Sequence, residues 1–313
     1  MRIGLVVDSG CDLPEDFVLA HSMETLPISV RLGQDTLVDR HDDSAALEFY
    51  RNQIGTRGAD AGTMPYSAEQ ITRLFQERLV RDYDYVFCQT LTRSRSALFE
   101  NATKASFSIL SGYREHHEGA RRDSPFAMRV LNTGTLFAGQ GVIAAETARL
   151  IATGVPVNEI RQRVEGMVPG VRAWALPQDV YYLRARARSK GDRSISLLSV
   201  ALAATLDVKP IIYGAQDGTE VIAKMRGFDN AAERILRNLR MAVERGLDAP
   251  FVVLSYAGDL KLMRLLPGYA ELAACCAEHE VSLLESVMSI TGGINLGPGA
   301  LTAGILAKEH KFQ

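Results

Sequence analysis

Hydroxyl and amide side chains gather just past apolar runs in this 313-residue chain. Asp8-Ser9 follow the run 2–7, Thr92 to Ser96 follow 84–91, Asn132-Thr133 follow 127–131, and Thr63 sits in a further polar stretch. Hydroxyls and unpaired amides at helix N-termini suit an anion such as a carboxylate or phosphate. In an open α/β sheet, ligands collect in the crevice beyond the carboxyl ends of the strands. Each Ser or Thr taken singly caps its own helix. Taken together, on strands of one sheet, they form a rim for one anionic ligand.

Other chemistries leave no trace. The chain has no GxxxxGKS/T phosphate loop, no GxSxG nucleophile elbow and no HExxH zinc motif. Gly139-Gln140-Gly141-Val142-Ile143-Ala144 matches the dinucleotide pattern GxGxxA, but Asn132 to Phe137 separate it from the preceding strand. Small residues that let a helix pack closely are the better reading there. The four cysteines, Cys11, Cys88, Cys275 and Cys276, show no CxxC spacing, and only His116-His117 pair among six histidines. No metal, cofactor or disulfide framework is expected. Arg184, Arg186, Arg188, Lys190 and Arg193 form a basic run: a solvated loop by default, an anionic partner surface otherwise. Gly292 to Gly299 is the densest glycine stretch, which means a tight turn or a close approach to a ligand or another segment.

Positioning such loops requires a sheet. Lys and Arg total 35 against 37 Asp and Glu, a formal charge of −2 that argues against broad nucleic-acid binding. No run of 18 apolar residues is present for a membrane span, and the opening reaches Asp8 too soon for a secretory core, so a cytoplasmic protein is expected. Short apolar runs alternate with helical patterns, predicting α/β architecture with a mainly parallel sheet in the first half. A strand near 26–32 turns at Gly33, and Asp12 is read as capping a helix begun by Pro14. Asp42-Asp43 cap a helix through Ile54, Ser67 and Gln70 make a capping box, and Leu98, Ala102, Ala105 and Ile109 form an apolar stripe. A further helix ends at Gly154. Asp217-Gly218 between 208–213 and 220–225 is a hairpin turn, so the second half is mixed or antiparallel. Asp229 is read as capping a helix striped by Ala232, Ile235, Leu239 and Val243. A strand at 251–256, a helix at about 260–278 and a closing strand pair complete the chain. Val155-Pro156 and Pro169-Gly170 bracket the boundary between predicted domains 1–165 and 166–313.

Six segments in order resemble one family. Val7-Asp8-Ser9-Gly10-Cys11-Asp12-Leu13-Pro14 looks like the TDSxxDLP opening of the DegV family, and Gly62-Thr63-Met64-Pro65 like its TSQP. Arg95-Ser96-Ala97-Leu98-Phe99 stands where that family has LSGTY, and Asn132-Thr133 with Gly139-Gln140-Gly141 resembles its DSKxxSxGxG. Val208-Lys209-Pro210-Ile211, Asp217-Gly218 and Lys224-Met225-Arg226 are similar to IKPIL, DG and KxR, and Asn295-Leu296-Gly297-Pro298-Gly299-Ala300 to HxGPGA.

The resemblance implies a two-domain α/β protein that holds one long-chain fatty acid between its domains and has no catalytic residues of its own. It implies a partner, an ATP-binding kinase subunit that phosphorylates the bound carboxylate so that the acyl phosphate enters phospholipid synthesis. Carried over by position, Ser96 and the amide of Ala97 would bind the carboxylate, with Thr63 or the Gly62 backbone and Asn295 completing the site. Ser9, Arg95 and Arg226 would support it. The chain departs from the family pattern in four places: Gly62 replaces a Thr, Asn295 a His, Ala97-Leu98-Phe99 the GTY, and Gly191-Asp192-Arg193 the GGR. Asn295 carries no charge, so Arg93 or Arg95 would have to turn inward to compensate the carboxylate. The alternative is a carrier or sensor of a different amphiphile with no kinase step.

Overall fold

The computed structural model describes residues 1–52, 60–116, 125–183 and 207–313. Ile54, His117 and the basic stretch from Arg184 to Arg193 lie outside the described residues.

Ile3-Gly4-Leu5-Val6-Val7 is apolar on both faces and forms β1 (Ile3–Asp8), buried throughout after its first residue. Helix α1 (Glu15–Ala20) follows, with Pro14 rather than Asp12 at its N-cap position. The Asp12 carboxylate is engaged elsewhere, accepting from the Ser255 hydroxyl and the Ser289 N–H. The predicted strand near 26–32 is two strands, β2 (Glu24–Leu26) and β3 (Ile28–Leu32), split at Pro27. Gly33, at φ +61°, turns the chain into β4 (Asp35–Asp39). Asp42 caps α2 (Asp43–Arg51), accepting from the Ala45 N–H at 2.7 Å. Next come β5 (Ala61–Pro65), α3 (Ala68–Leu74) with the Ser67–Gln70 capping box, and β6 (Tyr85–Thr90). Helix α4 (Leu98–Gly112) buries Leu98, Ala102, Ala105 and Ile109 as its spacing predicts. Then β7 (Ala127–Asn132), α5 (Ala138–Ala152) and α6 (Val157–Met167) lead to β8 (Val171–Leu176).

The hairpin β9 (Val208–Ala215) and β10 (Gly218–Arg226) turns at Gln216 and Asp217, both at positive φ. Helix α7 (Phe228–Arg245) starts one residue before Asp229, from Gly227 at φ +80°, so Asp229 lies in its first turn rather than at its cap. Strand β11 (Phe251–Tyr256) follows. The helix predicted over 260–278 is broken by Pro267-Gly268 into α8 (Leu260–Met263) and α9 (Tyr269–Glu278). Strand β12 (Ser282–Val287), helix α10 (Ile290–Leu296) and β13 (Leu301–Leu306) close the chain.

Among the described residues, three sheets result. Strands β2-β1-β6-β7 are all parallel. Strands β4-β3-β5 are antiparallel, a sheet in the first half that the strand pattern does not announce. The third has the order β10-β9-β8-β13-β11-β12, antiparallel except between β11 and β12.

Helix α5 packs against β1 on one side and against β8, β11 and β13 on the other. Every residue from Ala138 to Ala148 is buried. Such a position demands small residues. A Cβ on Gly139 would lie 2.6 Å from the Ala173 methyl, and one on Gly141 2.5 Å from the Asp12 carbonyl oxygen. The GxGxxA segment therefore serves helix packing. From the sheet side, a Cβ on Gly304 would stand 2.5 Å from the Ala138 carbonyl oxygen, backbone against backbone. Gly304→Ala is expected to destabilise the fold by about 1–3 kcal/mol, the scale of overpacking. Urea unfolding checks this, and a loss under about 0.5 kcal/mol, within the range of neutral surface changes, would contradict the close approach.

Candidate functional site

A cavity of about 310 Å³ lies over the inner face of the six-stranded sheet. Its floor is Ala173, Ala175, Ile212, Gly214 and Thr302. The register brings three of these side by side, Ala175 opposite both Ile212 and Thr302. Leu91 and residues 95–97 come from the loop after β6, Leu136 and Phe137 from the loop after β7. Ile28, Thr63 and Pro65 belong to the three-stranded sheet, and Thr291, Asn295 and Leu296 to α10. The volume sits at the lower end of the range for small-molecule sites, and most of the wall is apolar.

Polar groups mark one part of this wall. Ser96 is half-buried, and its Oγ accepts from the Leu98 N–H at 3.2 Å, leaving the hydroxyl proton for an acceptor in the cavity. Ala97 is the N-cap residue of α4, so the positive end of a 15-residue helix stands at the mouth. Thr63 lies within β5, opposite Val30. Asn295 gives one amide N–H to the Thr291 carbonyl at 2.7 Å and retains a second. The Arg95 guanidinium donates to the Thr219 hydroxyl on β10, another residue of the wall.

The structure thus brings Thr63, Ser96, Ala97, Asn295 and Arg95 around one cavity. The other candidates lie elsewhere. Gly62 faces away from the cavity, paired with Arg31, whose Nη2 is 3.9 Å from where a Cβ would sit. Ser9 is buried at the junction of two sheets: its N–H donates to the Leu26 carbonyl and its Oγ accepts from the Ile28 N–H. Arg226 is exposed at the far end of β10, seven residues and about 23 Å of strand from Thr219. Thr63 is also not on the rim of the parallel sheet, as its loop position suggested, but in a separate sheet.

The tip of the β9–β10 hairpin clamps the loops above the cavity. Asp217 accepts from the Thr92 hydroxyl and from the Asn132 amide at 2.9 and 3.1 Å, and pairs with Arg93 at 3.3 Å. Burial opposes its ionisation, but the hydroxyl, the amide and the guanidinium together hold the carboxyl below the ordinary range. The Thr135 hydroxyl donates to the Gly214 carbonyl at 2.6 Å, and the Asp217 N–H to the Gly134 carbonyl. Arg93 is therefore spent on the hairpin, and Arg95 is the arginine that turns to the cavity.

Beneath the loops lie three buried carboxylates. Asp8 accepts from the N–H groups of Leu91 at 2.6 Å and Gly10 at 3.0 Å, and from the Gln140 amide at 3.1 Å. Asp39 accepts from the N–H groups of His41 and Thr291. The His41 ring, nearly buried, stands 3.8 Å from Asp12 and 3.2 Å from the Ser286 hydroxyl. Asp39 and His41 lie in a stretch whose spacing sets them apart in no way. Asp8, an acid closing an apolar run, was visible. Among the described residues no group of three metal-ligating side chains is present, and no helix is long and apolar enough to cross a membrane.

A family model described as "Uncharacterised protein, DegV family" matches residues 2–308. The chain belongs to the DegV family. It is 47% identical over 312 residues to a DegV domain-containing protein of Xanthomonas axonopodis pv. citri, covering 100% of this chain and 99% of that one. A relative in Xanthomonas campestris pv. campestris gives the same identity and coverage. Among solved structures, a DegV lipid-binding protein from Thermotoga maritima superposes with a TM-score of 0.76 at 19% identity, covering 99% of this chain and 100% of that one. The fatty-acid-binding DegV of Bacillus subtilis gives 0.74 at 21% identity, covering 98% and 99%. A stearic-acid-binding protein of Eubacterium ventriosum gives 0.75 at 18%, covering 98% of each. These likenesses establish a DegV fold over nearly the whole chain.

Burial pushes both Asp8 and Asp12 up from 3.8 to about 6, against hydrogen bonds at Asp8 and against His41 and hydrogen bonds at Asp12. A carboxyl raised in the folded state favours the protonated form. The stability these two groups contribute is therefore fully present below pH 3.8 and is lost as pH rises through about 6. Carboxyl-carbon NMR titration of the folded DegV chain is expected to place both midpoints near 6. Midpoints below 4 would contradict it.

Proposed function

We propose that this chain binds one long-chain fatty acid in the cavity and presents its carboxylate to a separate ATP-dependent kinase subunit. The observation that carries this reading is the pairing of an apolar cavity with a polar mouth at the N-terminus of α4. Fatty-acid-binding neighbours of the same fold support the ligand class. In this reading Ser96 donates its O–H, and Ala97 its N–H, to the carboxylate. Thr63 and the second amide N–H of Asn295 complete the grip. The acyl tail lies over Ala173, Ala175 and Ile212, each buried CH₂ contributing about 0.8 kcal/mol. The chain itself binds, orients and shields; the partner supplies ATP and the phosphoryl transfer to the carboxylate oxygen. Residues 1–165 and 166–313 are read as two domains with the ligand between them, in a cytoplasmic protein.

Native mass spectrometry of the purified protein, followed by organic extraction, tests the ligand class. One fatty acid per chain is the expected result; an empty protein that also refuses added fatty acids would overturn the reading. Ser96→Ala is expected to weaken fatty-acid affinity by about 1–3 kcal/mol, the scale of a hydrogen bond to a charged group, and unchanged affinity would remove Ser96 from the site. Acyl-phosphate formation with a candidate kinase subunit and ATP tests the second half. Fatty acid bound but never phosphorylated favours the carrier or sensor role, for which the neutral Asn295 is the structural argument.

A further inference from the structure

Resting on the fatty-acid reading above, we propose that Thr291 and Thr302 form a second polar subsite, in the part of the cavity that takes the tail. The preferred ligand is then a fatty acid that carries a hydroxyl group at mid-chain. Both threonines line the cavity, and both are buried, at 5% and 2% exposure. Neither hydroxyl has a hydrogen-bond partner among the described residues. Other buried threonines behave differently. Thr133, Thr135 and Thr147 each donate to a carbonyl oxygen, as hydroxyls removed from water normally do. Two unpaired hydroxyls on the wall of one apolar cavity suit an oxygen that accepts from one and donates to the other.

A single carboxyl brings the two together. Thr302, on β13, stands directly opposite Ser255 of β11, whose hydroxyl donates to Asp12. Asp12 also accepts from the N–H of Ser289, two residues before Thr291 at the start of α10. On its other side Thr302 pairs with Ala175, part of the floor on which the tail is placed. The headgroup end is elsewhere. Ser96 adjoins Arg95, which bonds to Thr219 on β10, and three strand spacings, about 14 Å, separate β10 from β13. Thr291 precedes Asn295 by one helical turn, about 6 Å along α10. A carboxylate held at the mouth therefore brings the middle of a long chain past the two hydroxyls. A methylene there buries both of them unpaired, whereas a chain hydroxyl meets them with one donor and one acceptor. The apolar floor gains equally from either chain, so the difference falls on selectivity.

Oleate and ricinoleate share chain length and double bond and differ by one mid-chain hydroxyl. Calorimetric titration of the wild-type chain is expected to show ricinoleate binding roughly tenfold tighter, the scale of sparing a buried hydroxyl from being left unpaired. Thr302→Val keeps the branched shape that suits a strand and should shrink the ratio. With Thr291→Val added, the two acids should bind within about twofold of each other. Thr302→Ser retains the hydroxyl and should keep the preference. Each ratio is taken on one protein sample, so partial misfolding of a variant does not imitate the result. Three outcomes overturn the proposal and leave fatty-acid binding standing: equal binding of both acids by wild type, a wild-type ratio that survives in the double variant, or a Thr302→Ser protein that loses the preference as fully as the double variant. A wild-type chain that binds neither acid overturns the fatty-acid reading, and this proposal with it.

Discussion

Asp8, Asp12 and Asp39 each accept a backbone N–H from a segment distant in sequence: Leu91, Ser289 and Thr291 respectively. Burying a carboxylate is costly unless donors replace its water. Here the donors are the cavity's own walls. Leu91 opens the loop that leads to Arg95 and Ser96, while Ser289 and Thr291 begin the helix that carries Asn295. The mouth is therefore positioned by side-chain acceptors near Asp8 and Asp12, at the point where β1 ends, as well as by the pairing of β6 with β1. The residual cost of those charges is visible in the two carboxyls held near 6.

Helix α5 imposes the complementary constraint. It runs between two sheets, and neither face has room for a branched side chain at Gly139, Gly141 or the opposing Gly304. Close packing of backbone on backbone leaves little slack. The loops after β6 and β7 consequently rest on a fixed base, and the β9–β10 hairpin reaches them through Asp217 and Gly214.

Where local chemistry decides the structure, the sequence was readable. The Ser67–Gln70 capping box, the stripe through Leu98 and Ile109 and the Gly154 stop need only neighbouring residues, and each is found as read; the hairpin is found too, but it turns at Gln216-Asp217, one residue before the expected Asp217-Gly218. Distant partners decide the rest. Asp12 has the residue type of a cap but is claimed by Ser255 and Ser289, more than 200 residues on. Helix α10 contains Gly292-Gly293, poor helix formers. It forms because the Tyr50 ring packs where a Cβ on Gly293 would be, and the Tyr50 hydroxyl donates to the carbonyls of Met288 and Ser289. Among the site candidates, Thr63, Ser96, Ala97, Asn295 and Arg95 share a cavity, while alternation along β5 turns Gly62 to the opposite face. Thr219 carried no signal, because its place beside Arg95 depends on a hairpin folding back over 124 residues.

The division between apolar floor and polar mouth also separates affinity from orientation. At about 0.8 kcal/mol per CH₂, a long acyl tail gains several times what any one headgroup hydrogen bond provides. Under the proposed fatty-acid reading, replacing a mouth residue changes which end group is accepted and how it is held more than whether an amphiphile binds. Gly62 costs the mouth nothing, since that position faces Arg31. Asn295 removes the possibility of charge at its own position but leaves a donor there. Arg95 and the start of α4 border the same cavity, on the segment that Asp8 anchors through Leu91. The polar part of the cavity wall and the buried carboxylate network are thus joined through a single short loop.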